Sequence, residues 1–277
     1  MFPNDRACLD YIFKLRYGHL EACPECACKA EWRRIRTRKS YQCRSCYAQF
    51  YPMAGTVFEK TRIPLLDWFY IIFLFTTTRN GVAAKEIERQ LGVTYKTAFR
   101  IGHQVRKMMK QDDIILKGFV EADETYMGKK REAIRTQGTG HKYPVFGMIE
   151  RLGNVSAYNI DQVNKSIVYP LIEKYIDKNA ILSTDEHQVY TKVNKELGIE
   201  HGTVNHSEKE YRKGIFCTNT IEGYFSQLKR MVGGTHIHVS GKYLQAYVNE
   251  CCYRYNMRKQ HERMFISLIH RLPIAEE

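Results

Sequence analysis

The chain has 277 residues, enough for one large domain or a medium domain with smaller modules. Its hydrophobic share of 44% and charged share of 26% are those of a globular protein and exclude a low-complexity or fibrous one. Forty-three Lys and Arg against 30 Asp and Glu leave a net charge of +13, which points to an anionic partner, nucleic acid first of all.

The opening "MFPNDRACLDYIF" has no charged start followed by an apolar run, so no secretory signal is expected. The most apolar stretch, "LLDWFYIIFLF" at 65–75, is too short to span a bilayer and carries Asp67. The expectation is a cytoplasmic protein without a membrane partner. Its nine cysteines are then reduced or metal-bound rather than paired in disulfides.

In chain order, a short helix is predicted over 3–18, a cysteine-rich segment over 20–52 and a buried aromatic helix over 64–77. Cys23-x2-Cys26 and Cys43-x2-Cys46 are sixteen residues apart. Two such pairs on tight turns can set four thiolates at the corners of a tetrahedron, the geometry of structural Zn²⁺. Cys28 forms a CxC pair with Cys26 and is a competing ligand. The stretch 29–44 has seven basic residues and one acid, Glu31. A hairpin carrying Arg33, Arg34, Arg36, Arg38 and Lys39 suits DNA phosphates, with a solvated charged hairpin as the plain alternative.

Residues 79–110 read as two helices broken at "LGVT", with Gly92 in the turn and Thr94 as N-cap. The second would present Tyr95, Lys96, Thr97 and Arg100 in its first two turns, as a DNA-recognition helix does. Beyond "KQDD" the pattern becomes β-like, with strands at "IILKGFVEAD", "YPVFGMIER" and "NVSAYNI". The last two are joined by a tight turn at Leu152–Gly153. The stretch 128–142 is the expected mobile basic loop. A helix over 165–177, a strand over 180–185, a helix after His187, a strand near 200–205 and helices over 218–231 and 240–256 complete an α/β order with a mixed sheet.

Asp123 falls near the end of one strand, where alternation sends Glu121 to the same face and Glu124 to the other. Asp185 ends a second strand. In "TNTIEGYFSQLKR" the core stripe Ile221, Tyr224, Phe225 and Leu228 leaves Asn219, Glu222 and Lys229 on another face. An Asp at a strand end is, singly, an ordinary cap or turn residue. Two of them with a Glu-x6-Lys helix in a basic chain make a site. Three converging carboxylates repel unless a divalent cation neutralises them, and oxygen ligands select Mg²⁺ or Mn²⁺. Two such ions serve phosphodiester displacement. Lys229 would then hold a DNA phosphate, and Asn219 would orient a ligand or water. His236 and His238 of "HIHV" suggest DNA contact or loop packing rather than a metal. Cys8, Cys217, Cys251 and Cys252 read as small core residues.

"VEADETYMGKK", "PVFGMIER", "STDEHQVY", "TNTIEGYFSQLKR" and "GTHIHVSGKYLQAYVNECCYRYNMR" resemble the bacterial insertion-sequence transposases that carry an N-terminal zinc ribbon and a DDE core. The resemblance implies an RNase-H-like catalytic fold, two Mg²⁺ ions, and cutting and joining of element ends. It assigns Asp123, Asp185 and Glu222 as the catalytic acids and Lys229 as the accompanying basic residue. Cys217 departs from it, standing where relatives commonly carry His. The expected domains are 1–55, the N-terminal helix and zinc ribbon; 56–112, the helix-turn-helix module; and 113–277, the RNase-H-like domain. Synapsis of two ends implies a homodimer or larger assembly. A DNA-binding regulator without catalysis and another RNase-H-like nuclease, such as a junction resolvase, are the alternatives.

Overall fold

The computed structural model describes residues 2–128, 142–204 and 212–272. They fall into two compact units, one formed by residues up to Thr78, Ala84–Met108 and the segment from Glu262, the other by Arg79–Ala83 and Met109–His261. The expected basic loop lies almost wholly outside the described residues.

In the first unit, α1 (Asp5–Tyr17) starts at Asn4, whose side chain accepts the Ala7 N–H at 3.0 Å. It packs on a three-stranded antiparallel ribbon, β1 (Trp32–Ile35), β2 (Ser40–Cys43) and β3 (Gln49–Phe50). Phe13 of the helix stacks on Tyr41 at 3.8 Å and meets Trp32 edge-on at 5.7 Å, so this small module has an aromatic core. The apolar stretch forms α2 (Leu65–Thr77), which buries Leu65, Trp68, Phe69, Ile71, Ile72 and Phe75. Among the described residues no helix is long and apolar enough to cross a membrane. Next come α3 (Ala84–Leu91) and α4 (Tyr95–Met108), joined through Gly92 at φ +62°.

The second unit is built on β4 (Phe119–Met127), β5 (Tyr143–Glu150), β6 (Val155–Asn159), β7 (Ile181–Asp185) and β8 (Glu200–Val204). Their spatial order is β6-β5-β4-β7-β8, antiparallel from β6 to β4 and parallel from β4 to β8. The mixed sheet read from the sequence is the one observed. On one face, α5 (Lys165–Tyr175) and α6 (Val193–Leu197) cover Val120, Ala122, Phe146 and Met148. A short hairpin of β9 (Arg212–Lys213) and β10 (Phe216–Cys217) leads into α7 (Asn219–Arg230), which continues as one π-helical turn, Met231–His236. Together with α8 (Gly241–Asn256), α7 covers Met127, Val145, Ile149, Val155 and Ala157 on the opposite face. Residues with period-two alternation thus serve two cores.

Two details set the spacing of this unit. Gly147 of β5 pairs with Asp123 of β4. A Cβ there would stand 2.9 Å from Ile221 and 3.0 Å from Phe225, so the absent side chain lets α7 lie close to the sheet beside Asp123. At the β6 edge, the outward backbone groups are met by amide side chains. Gln111 accepts from Ala157 N–H at 3.0 Å and donates to its carbonyl at 2.7 Å. Asn256 does the same for Val155 at 2.8 and 3.0 Å, and Gln245 accepts from Asn159 N–H at 2.6 Å.

The C-terminal helix α9 (Met264–His270) belongs to the first unit, where Phe265 lies 6.1 Å from Phe69 of α2. The expected domain 113–277 assigns this stretch to the catalytic region instead. His236 closes the π-helical turn, its ring 4.6 Å from Tyr247, and the His238 N–H bonds back to the His236 carbonyl around Ile237 at φ +62°.

Candidate functional site

The bridged pairs of β4 and β7 run from Phe119–Ile181 to Glu121–Ser183 and stop. Two residues further along each strand, on the same side of the pleat, stand Asp123 and Asp185. The two acids therefore face each other where the parallel pair parts, at the carboxyl end of β7, the usual place for a ligand in an α/β sheet. One oxygen each of Asp123, Asp185 and Glu124 lie within 4.8 Å of one another.

Glu124 does leave on the opposite face, as alternation requires, and the Tyr190 hydroxyl donates to it at 2.7 Å. Its carboxylate nonetheless reaches the strand end. Sequence reasoning missed it for that reason, although the adjacent "DE" was the available signal. Glu222, on the exposed face of α7, is outside the 4.8 Å group but close enough to act on Asp123 electrostatically.

Burial pushes the Asp123 carboxyl up to about 7, and the charges of Asp185, Glu124 and Glu222 add to the shift. The Glu124 N–H, 2.7 Å from Asp123 Oδ1, works against it. Glu124 is also raised, by burial first and then by Asp185, with Tyr190 opposing. A cluster that resists its own ionisation is what a divalent cation relieves, and an all-oxygen donor set suits a hard ion.

Asn219, Glu222 and Lys229 are exposed along one side of α7, as expected. Lys229 borders a cavity of 230 Å³ with Tyr126, Gly128, Gly233 and His238, three to five residues beyond Asp123 on the β4 side.

Glu121 is fully buried and carries no such role. Its carboxylate accepts from Arg151 Nε at 2.7 Å, the Thr220 N–H at 2.7 Å, the Ile221 N–H at 3.1 Å and the Thr220 hydroxyl at 3.0 Å. The Cys217 thiol, raised by burial and by Glu121, lies 3.4 Å from it.

In the ribbon, the ligand atoms of Cys23, Cys26, Cys43 and Cys46 lie within 4.8 Å of one another, and the Cys23–Cys46 and Cys26–Cys43 sulfurs are each 3.9 Å apart. A tetrahedral ion with bonds of about 2.3 Å places its sulfurs about 3.8 Å apart, so the four thiols fit structural zinc. Backbone N–H groups of Cys46 and Ser45 hold the Cys43 thiol down at about 6, favouring the thiolate. Cys28 is exposed and outside the group. Arg33, Arg36, Arg38 and Lys39 are exposed on the hairpin, whereas Arg34 is half-buried opposite Tyr41. On α4, Tyr95, Lys96 and Arg100 are exposed and Thr97 is half-buried, its N–H 3.4 Å from the Thr94 hydroxyl.

Residues 115–256, 142 of the 277, match the family model described as the ISXO2-like transposase domain. The chain belongs to this family. Residues 3–49 match a second model, the transposase zinc-ribbon domain. A curated relative from Halobacterium salinarum, "Uncharacterized protein in transposable element ISH50", is 24% identical over 265 residues, 89% of each chain. The family match takes in Asp123, Asp185, Glu222 and Lys229, and the ribbon match takes in all four zinc-site cysteines.

Proposed function

We propose that this family member is a DDE-type DNA transposase that binds the ends of its own element, hydrolyses a phosphodiester there and joins the freed 3′-hydroxyl to target DNA. The observation that carries this reading is the register of β4 and β7, which sets Asp123 against Asp185 at an open strand end beside the helix bearing Glu222.

Asp123, Asp185 and Glu222 would hold Mg²⁺ or Mn²⁺, two ions in all, with Glu124 as a further carboxylate in reach. Such ions supply charge neutralisation at the phosphoryl group and lower the pKa of an attacking water. The protein's own part is positioning. Lys229 is offered to a DNA phosphate from the same side of α7, and Asn219 to a ligand or water one turn before Glu222. In the first step a P–O bond to water forms as the bond to the 3′ oxygen breaks. In the second, that hydroxyl forms a bond to a target phosphorus as a target bond breaks. The exposed bases of the hairpin and Tyr95, Lys96, Thr97 and Arg100 of α4 would bind the element ends, in a homodimer or larger assembly acting in the cytoplasm.

The test is incubation with Mg²⁺ or Mn²⁺ and DNA carrying the gene's own flanking sequences, beside Glu222→Ala and Asp185→Asn. Breaks at fixed positions with the intact protein and none with either variant are expected. Specific binding with no breaks by any of the three would make the chain a DNA-binding regulator. Cleavage governed by branching rather than sequence would make it a junction nuclease.

A further inference from the structure

The buried Glu121 of β4 pairs with the half-buried Arg151 in the turn that follows β5. The five donors around Glu121 equal or exceed what one carboxylate can accept, so it has nothing left for a cation. Two of those donors, the N–H groups of Thr220 and Ile221, lie in the first turn of α7, where the helix itself supplies no acceptor. Thr218, at the N-cap, makes no side-chain capping bond, and its hydroxyl donates to Glu222 Oε1 at 3.2 Å. The cap of α7 is therefore supplied by a different element, the strand that carries Asp123, and its negative charge lies on the positive end of the helix.

Arg151 extends the same network. Besides Glu121 it donates to the Ile215 carbonyl at 2.7 Å, the Cys217 carbonyl at 3.3 Å and the Ser183 hydroxyl at 3.4 Å. Three anchored points result, Glu121, Ser183 and Thr220. Each lies two residues before one of the acids Asp123, Asp185 and Glu222.

We propose that Glu121 and Arg151 are positioning residues that hold Asp123, Asp185 and Glu222 in place around a divalent cation without touching it. The proposal rests on the metal-site reading above. Partners that orient ligating carboxylates are commonly worth about 10–100-fold in metal affinity.

The experiment measures Mn²⁺ binding by calorimetry and amide hydrogen exchange at Thr220 and Ile221. It uses the full-length protein and its Glu121→Gln, Arg151→Lys and Glu222→Gln variants, at a temperature where melting curves show each folded. A glutamine cannot accept from both the arginine and the helix amides. Glu121→Gln should therefore weaken Mn²⁺ by about tenfold or more and speed exchange at the two amides. Arg151→Lys keeps the charge but not the fork and should fall between. A folded Glu121→Gln protein that binds Mn²⁺ like the wild type overturns the proposal. If Glu121→Gln does not fold, the same criteria are read on Arg151→Lys. If the wild type takes up no Mn²⁺, the metal-site reading fails by itself. The exchange data then decide for the anchor: unchanged exchange at Thr220 and Ile221 overturns it, and faster exchange confined to the head of α7 sustains it.

Discussion

Asp123 keeps its proton well into the neutral range, and the consequence for metal has a definite sign. Unfolded, the group ionises near 3.8; folded and metal-free, at about 7. Its contribution to stability is thus present below about pH 4 and is lost as pH rises through 7. Cation binding must displace that proton. Mn²⁺ affinity should rise about tenfold per pH unit below 7, with about one proton released per binding event, and level off above it as the release falls away. Calorimetry in two buffers of different ionisation heat reads both quantities. Asp123→Asn removes the costly ionisation, so the metal-free variant should lose less stability than the wild type between pH 4 and 7 in thermal melts, while failing to bind Mn²⁺.

Among the elements, α7 depends on a missing methyl. Gly147→Ala should cost about 1–3 kcal/mol in urea unfolding through overpacking against Ile221 and Phe225. It should also weaken Mn²⁺ binding by shifting Glu222 away from Asp123. The ribbon depends on its thiolates, and Cys43→Ser should release zinc to a chelating dye and unfold the 20–50 region, read by proteolysis of the N-terminal segment. The elements themselves were largely legible, because β4, β5 and β6 alternate and α7 repeats at helical spacing. The zinc thiols were legible from spacing alone. Less visible were the features that rest on contacts distant in sequence. Glu124 joins the acids from the far side of its strand, and Glu121 looks like another candidate ligand until Arg151 and the head of α7 are seen to occupy it. The helix at 264–270 was missed because its partner, α2, lies some two hundred residues earlier. The π-helical turn was not legible because Gly233 and Gly234 read as the end of the helix rather than as its continuation.

At the scale of the whole molecule, a net charge of +13 makes salt the first variable of any DNA measurement. Binding to element ends should weaken linearly in log–log against salt concentration. Replacing Lys96 or Arg100 by Ala should reduce that slope by about one for each phosphate the missing cation no longer neutralises, in fluorescence anisotropy titrations at several salt concentrations. Assembly faces a restriction of another kind. A sheet edge is an open template on which a second chain can add a strand. Here the glutamine and asparagine side chains along β6 already hold every position such a strand would use at Val155 and Ala157, and the N–H of Asn159. A second copy approaching that flank would find the N–H groups of Val155, Ala157 and Asn159 already given away, so any contact made there falls to side chains.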